Sequence, residues 1–233
     1  MKKVLYVPLD DRDCNYDFPY QLSLMTDCLS ILRPERALMG SLKRAAERER
    51  IWDWIFSHAE ECSYAILSVD TLLYGNLIGS RIHEEGMESC EERMRRFSEL
   101  RRRAPGLKIH ALHLVARAAA YNSAQEDPDY WADYGYLIWR YGYLLDKLER
   151  GEAAEEEKAE LPLLKGKIPE RYLEDFLRRR KLDLSMNLRS ICLLRDGVFD
   201  TLTIPKDDTA EYGYAASDQK LIQEKLREER LFD

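Results

Sequence analysis

The sequence predicts an α/β fold: a largely parallel sheet built from βα units, partial TIM-barrel-like or doubly wound, with a helical insertion between the third and last strong strands. Two observations predict it. Four apolar runs, VLYVPL (Val4 to Leu9), YAILSV (Tyr64 to Val69), KIHALHLV (Lys108 to Val115) and DTLTIP (Asp200 to Pro205), are near-continuous rather than alternating, as in strands covered on both faces. Helical patterns lie between them, so strand and helix alternate as they do in βαβ units.

In chain order, a weaker strand is expected around Arg36 to Met39, stopped by Gly40. Leu42 to Ala59 reads as a helix burying Trp52, Ile55 and Phe56, and Glu88 to Arg103 as one burying Met94, Phe97 and Leu100. After the third strong strand the rhythm breaks. Asp129 to Arg150, Pro169 to Arg180 and Ser185 to Asp196 all read as helices, and Ala216 to Arg230 closes the chain with Leu221, Ile222 and Leu226 on a stripe. The acidic run Gly151 to Glu160 reads as a solvated connection. The organisation expected is therefore a βα-repeat portion over 1–128, a helical insertion or subdomain over 129–197, and a returning βα unit of the same domain over 198–233.

A chain of 233 residues is long enough to bury one large α/β core. Its net charge of −7, with cations dispersed among acids, provides no positive field for phosphate backbones, so nucleic acid is not an expected partner. The N-terminal apolar run is too short for a signal peptide and no stretch is long enough to span a bilayer, so no membrane association and a cytoplasmic location are expected. Cys14, Cys28, Cys62, Cys90 and Cys192 are odd in number, scattered and without a CxxC, which reads as reduced thiols.

The chemistry-bearing signal lies just past the strands. The first is followed by Asp10-Asp11-Arg12, the second by Asp70, and the last by Lys206-Asp207-Asp208. Loops at the carboxyl ends of parallel strands form the ligand crevice, so Asp10, Asp11, Asp70, Asp207 and Asp208 are the candidate catalytic acids, expected to converge. Arg12, Arg81 and Arg117 lie just after strands, where they can compensate gathered carboxylates. For any single acid, an N-cap or Asx-turn role is the stronger reading; for the set at three strand ends, function is.

Other motifs carry less. His110 and His113 are three apart on a strand and face opposite sides, so they cannot chelate one ion, and a buried, hydrogen-bonded histidine is expected of at least one. His58 and His83 have no partner pattern. YGNLIG, Tyr74 to Gly79, lacks the dinucleotide and P-loop spacings; its glycines suit close backbone approach in a tight loop. In DYWADYGYLIWRYGYLLDK one stripe carries Tyr130, Tyr134, Tyr141 and Leu145, which core packing explains. A second carries Tyr136, Trp139 and Tyr143, which calls for an insertion, an oligomer contact or a ligand.

PLDDRDCN, SVDTLLYGNLIGSR, DYWADYGYLIWRYGYLLDK and IPKDDTAEYGYAASDQ, in this order, make the chain resemble the DUF4127 family of bacterial proteins over essentially its whole length. The resemblance brings no established activity. It implies that Asp10, Asp11, Arg12, Asn15, Asp70, Tyr74, Arg81, Asp207, Asp208, Tyr212, Gly213 and Asp218 fall within shared motifs, and that this chain corresponds to an N-terminal portion of a longer protein. Two positions depart from the pattern: Asp13 where proline is expected, which would loosen the first loop, and Asn76 where glycine is expected.

The function expected is hydrolysis of a glycoside or related polyhydroxylated substrate by general acid and base carboxylates, with Arg12, Asn15, Tyr74, Arg81, Arg117, Tyr212 and Asp218 as substrate-binding residues. Asp207 and Asp208 are the expected pair for acid and base, with Asp10 or Asp70 on hydroxyls. No cofactor is required by any motif. The alternatives are a divalent-metal site, Mg²⁺ or Mn²⁺, for phosphoester hydrolysis, and a non-catalytic binding or assembly module, in which a homo-oligomer or the absent C-terminal portion covers the second aromatic stripe.

Overall fold

The computed structural model describes residues 1–207 and 210–231. The chain divides into two compact units, Met1–His113 with Arg189–Pro205 and Leu114–Leu188 with Lys206–Asp233. The first unit holds the sheet: β1 (Lys2–Val7), β2 (Leu29–Leu32), β3 (Tyr64–Ser68), β4 (Lys108–Leu112) and β5 (Thr201–Thr203). Every neighbouring pair is parallel and the order is β2-β1-β3-β4-β5. That is the order of a doubly wound, flavodoxin-like sheet rather than of a barrel.

The crossover from β1 to β2 runs through α1 (Asp13–Ser23), that from β2 to β3 through α2 (Arg48–His58), and that from β3 to β4 through α3 (Val69–Tyr74), α4 (Gly79–Ile82) and α5 (Met87–Arg103). Because the first crossover steps in the opposite direction along the sheet, right-handed connections put α1 on one face and α2 and α5 on the other. On the α2/α5 side Leu5, Val7, Ala65, Leu67, Ile109 and Ala111 are buried, as are Ile51, Trp52 and Ile55 of α2 and Met94, Phe97 and Leu100 of α5. Phe97 meets Trp52 edge-on at 4.9 Å and Phe199 at 5.1 Å.

The opposite face corrects the expectation of strands covered on both sides. Tyr6, Tyr64 and His110 are half-buried there, and Ile66, in the central strand, is 40% exposed. The apolar look of these runs comes from residues that serve a half-open pleated surface as well as a closed one: the Tyr64 and His110 rings stack at 6.0 Å, with the Lys2 ammonium 5.2 Å from the Tyr64 ring.

Two further expectations are corrected. The second strand is Leu29–Leu32, paired with β1, whereas Arg36–Met39 is a 3₁₀ turn that follows Pro34 and ends at Gly40 with φ +72°. The helix expected from Leu42 starts only at Arg48, because Ser41 and Arg44 form an antiparallel bridge with Leu42 at φ +48°. Asp13–Ser23 is helical despite Pro19.

The second unit is helical: α6 (Trp131–Glu149), α7 (Glu155–Lys167), α8 (Glu170–Arg195) as far as Leu188, and α9 (Tyr214–Glu228). The two helices expected over 169–196 are one, since nothing between Arg180 and Ser185 breaks the pattern. The acidic run read as a connection supplies the start of α7. Glu157 accepts from the Ala154 amide (2.9 Å) and pairs with Lys147 (2.8 Å), and Glu160 pairs with Arg140 (2.8 Å); acids at a helix N-terminus also suit its dipole. The core of this unit contains Trp131, Ile138, Ile168, Leu173 and Phe176, with Tyr130, Tyr134 and Tyr141 against it. Tyr136, Trp139 and Tyr143, the second stripe, stack on one another at 5.6 and 5.4 Å, and Tyr143 meets Tyr212 at 5.3 Å.

All five cysteines are free thiols. Among the described residues no helix is long and apolar enough to cross a membrane.

Candidate functional site

In this strand order the chain leaves the neighbouring strands β1 and β3 in opposite directions, the switch point at whose carboxyl ends doubly wound sheets carry their ligand crevice. Asp10 follows one strand and Asp70 the other. Thr71, fully buried, ties the two ends together: its hydroxyl lies 2.8 Å from the Pro8 carbonyl, 2.9 Å from that of Leu9 and 3.1 Å from Ser68 Oγ. The Leu77 amide also donates to the Leu9 carbonyl, at 3.1 Å.

Asp10 is buried and its acceptor capacity is spent locally. Oδ1 accepts from the Arg12 amide (3.1 Å) and Asn15 Nδ2 (2.7 Å); Oδ2 accepts from Arg12 Nε (2.8 Å) and pairs with Nη2 (2.6 Å). Four donors fill the lone-pair sites of one carboxylate. In this arrangement Asp10 orients Arg12 and Asn15. Beneath it the Tyr6 hydroxyl donates to the Asn15 carbonyl at 2.6 Å, and burial, with the Asp10 charge adding, pushes its pKa up to about 12. Asp11 is half-buried, and among the described residues no hydrogen bond engages its carboxylate.

Asp70 lies in the first turn of α3, 2% exposed, behind the cap that Ser68 Oγ provides to the Thr71 amide (3.1 Å). Tyr74, four residues on, shares its helix face and stacks on the His83 imidazole at 4.4 Å with 14° between the planes. The carbonyl of Leu73 in the last turn accepts from Arg48 (2.8 Å) and Arg93 (3.1 Å), and both arginines also pair with Glu85, at 2.6 and 2.8 Å. Burial would raise the Glu85 pKa, but hydrogen bonds from Arg93, Ser89 and Arg48 hold it at about 2. Gly75 ends the helix at φ +103°, where a Cβ would stand 2.5 Å from that of Ala45. Asn76 then donates to the Leu42 and Arg44 carbonyls (3.1 Å each) and accepts from the Gly79 amide (2.6 Å). Arg81, on α4, is almost fully buried.

The remaining predicted residues belong to the second unit. Arg117 bonds Asp127 at 2.9 Å and the Tyr121 hydroxyl at 3.1 Å; burial works against its charge, but Asp127 keeps its pKa raised, with a smaller contribution from Asp207. Asp207 is exposed, and Asp208 lies outside the described residues. Tyr212 donates to Glu152 (2.5 Å) beneath the Arg150 guanidinium (4.8 Å), and Gly213 N bonds Asp146 at 2.9 Å, so this segment is fastened to the end of α6. Asp218 pairs with the buried Arg180 at 2.7 Å; burial raises its pKa against the pull of that arginine. Tyr212 and Asp218 are thus engaged by their own unit.

A family model described as "Protein of unknown function (DUF4127)" matches residues 4–233, from the first strand onward. The chain belongs to the DUF4127 family. No curated protein and no solved structure matches it. In this DUF4127 chain the two departures from the expected motifs fit their places. Asp13 is the first residue of α1, a position that suits proline and, through the helix dipole, an acid as well, and it pairs with Arg36 rather than loosening the loop. Asn76 has both ends of its side-chain amide bonded to backbone.

Among the described residues no group of three or more His, Cys, Asp or Glu side chains could hold a metal ion, so the divalent-ion expectation finds no ligand set there. In this DUF4127 chain the first unit does bring together the segments of Asp10, Arg12 and Asn15 with those of Asp70, Tyr74 and Arg81. Sequence reasoning missed Thr71, His83 and Glu85. Only a hydroxyl beside a predicted strand end pointed to Thr71, and nothing local pointed to the other two.

Proposed function

We propose that the carboxyl ends of β1 and β3 form the active site of a hydrolase acting on a glycoside or a related polyhydroxylated substrate. The observation that carries this reading is the strand order, which makes these two ends the switch point of a doubly wound sheet, with an acid following each strand. Full burial suits the carboxyl that delivers a proton to the leaving oxygen and the less buried position the one that stays ionised, which assigns the acid to Asp70 and the base or nucleophile to Asp11. Arg12, held by Asp10, and Asn15, Tyr74 and Arg81 bind hydroxyls. The five free thiols fit a cytoplasmic setting.

A panel of chromogenic glycosides and phosphoesters, with and without Mg²⁺, tests this. Turnover of a glycoside without added metal, abolished in Asp70→Asn and in Asp11→Asn, is expected. Turnover that survives both substitutions and is lost in Asp207→Asn or Asp208→Asn would move the chemistry to the second unit. Metal-dependent phosphoester cleavage would replace the reading altogether.

A further inference from the structure

We propose that the helical unit holds a second ligand site, built on Arg180 and Tyr214, that takes the carboxylate of a small acid. This site belongs to the unit that does not hold the proposed active site. Arg180, on α8, is 5% exposed. Its Nη1 donates to the Arg117 carbonyl at 3.4 Å, and its Nη2 stands 2.7 Å from Asp218 Oδ2 as an ion pair. That pair is not aligned as a hydrogen bond, so Nε and Nη2, which form one edge of the guanidinium, are buried without a hydrogen-bond partner among the described residues. Tyr214 opens α9 beside it: its ring meets Phe176 edge-on at 5.0 Å, and the guanidinium carbon lies 5.5 Å from the ring centre. The Tyr214 hydroxyl is likewise buried without a partner among the described residues.

Two neighbouring side chains, from helices α8 and α9, thus hold an N–H edge and an O–H donor without an acceptor, and buried donors left in that state cost desolvation. The Nε–Nη2 edge matches the paired oxygens of a carboxylate or phosphate, and the tyrosine hydroxyl supplies a further bond. The first turn of α9 contains no acid and no side chain caps it, so the helix dipole adds to the positive field there. Asp218 stands beside the guanidinium and Asp183 acts on Asp218, so negative charge is already present. One further charge is therefore tolerated better than two, which selects a carboxylate over a doubly charged phosphate.

The ¹⁵N–¹H correlation signal of Arg180 Nε–H in the full chain, assigned by its loss in Arg180→Lys, reads the site directly. Titration with sodium acetate at constant ionic strength is expected to move this signal saturably, whereas inorganic phosphate and methyl β-glucopyranoside leave it in place. No saturable movement with acetate, or an equal movement with phosphate or the glycoside, overturns the proposal. Tyr214→Phe keeps the ring and removes only the hydroxyl. Acetate binding is expected to weaken about tenfold in this variant. Its melting temperature without acetate should be unchanged or raised, because a buried hydroxyl without a partner has gone. Unchanged acetate affinity, or a lowered melting temperature, would make the hydroxyl a structural group and overturn the proposal as well.

Discussion

Asp10 is legible as a strand-end acid, and its bond to the amide two residues on is the Asx-turn pattern that a sequence can suggest. That Arg12 and Asn15 take the rest of its capacity depends on how the loop closes. Asp10→Ala strands these donors and is expected to lower stability by about 1–3 kcal/mol, read from the midpoint of urea unfolding. Of His110 and His113, at least one of which the sequence predicts to be buried, His113 is: it is 1% exposed and its Nδ1 meets Ser190 Oγ at 2.9 Å. Burial lowers its pKa from 6.5 to about 3. As pH falls through this window the unfolded chain takes up a proton that the folded protein refuses, so stability drops from about pH 6.5 toward 3. His113→Gln should flatten that part of a melting-temperature profile. Glu85, with its pKa depressed to about 2, contributes stability that is present above its ordinary 4.5 and lost as pH falls toward 2; Glu85→Gln should remove this second, more acidic step.

At the scale of the element, the segment from Ser68 to Asn76 is fixed by contacts to chain remote in sequence. Gly75 needs a positive φ and faces the Ala45 Cβ, so Gly75→Ala is strained both ways and is expected to cost about 1–3 kcal/mol in chemical unfolding. Thr71→Val keeps the shape but leaves the Pro8 and Leu9 carbonyls without their side-chain donor. It should cost about 1–2 kcal/mol and loosen the Asp10 loop, visible as faster amide exchange at Arg12. The strong strands and α5, α6 and α9 were legible because their periodicity is local. The start of α7 was not, because Glu157 and Glu160 look solvated until Lys147 and Arg140 come alongside. Leu29–Leu32 was passed over because three apolar residues and a serine carry too little pattern without the edge of β1 beside them.

For the molecule as a whole, the first unit is a sheet buried on one face and half-open on the other. Ile66 and Leu67 are adjacent and chemically alike, yet one is 40% exposed and the other fully buried. Leu67→Ala is expected to cost about 2–5 kcal/mol, and Ile66→Thr to stay within roughly 0.5–1 kcal/mol, both by calorimetry or urea titration. Equal costs would mean that the open face is covered in solution. By itself the sequence determined the α/β class, the parallel strands, the free thiols and the acids at strand ends, because periodicity and turn chemistry act over a few residues. Tertiary structure alone decided the β2-β1-β3-β4-β5 order that selects the Asp10 and Asp70 ends as a switch point, the Arg48–Glu85–Arg93 clamp behind His83, and the engagement of Asp218 by Arg180. Those partners are distant in sequence, and what brings them together is apolar burial and charge pairing summed over a whole unit, which no local propensity encodes.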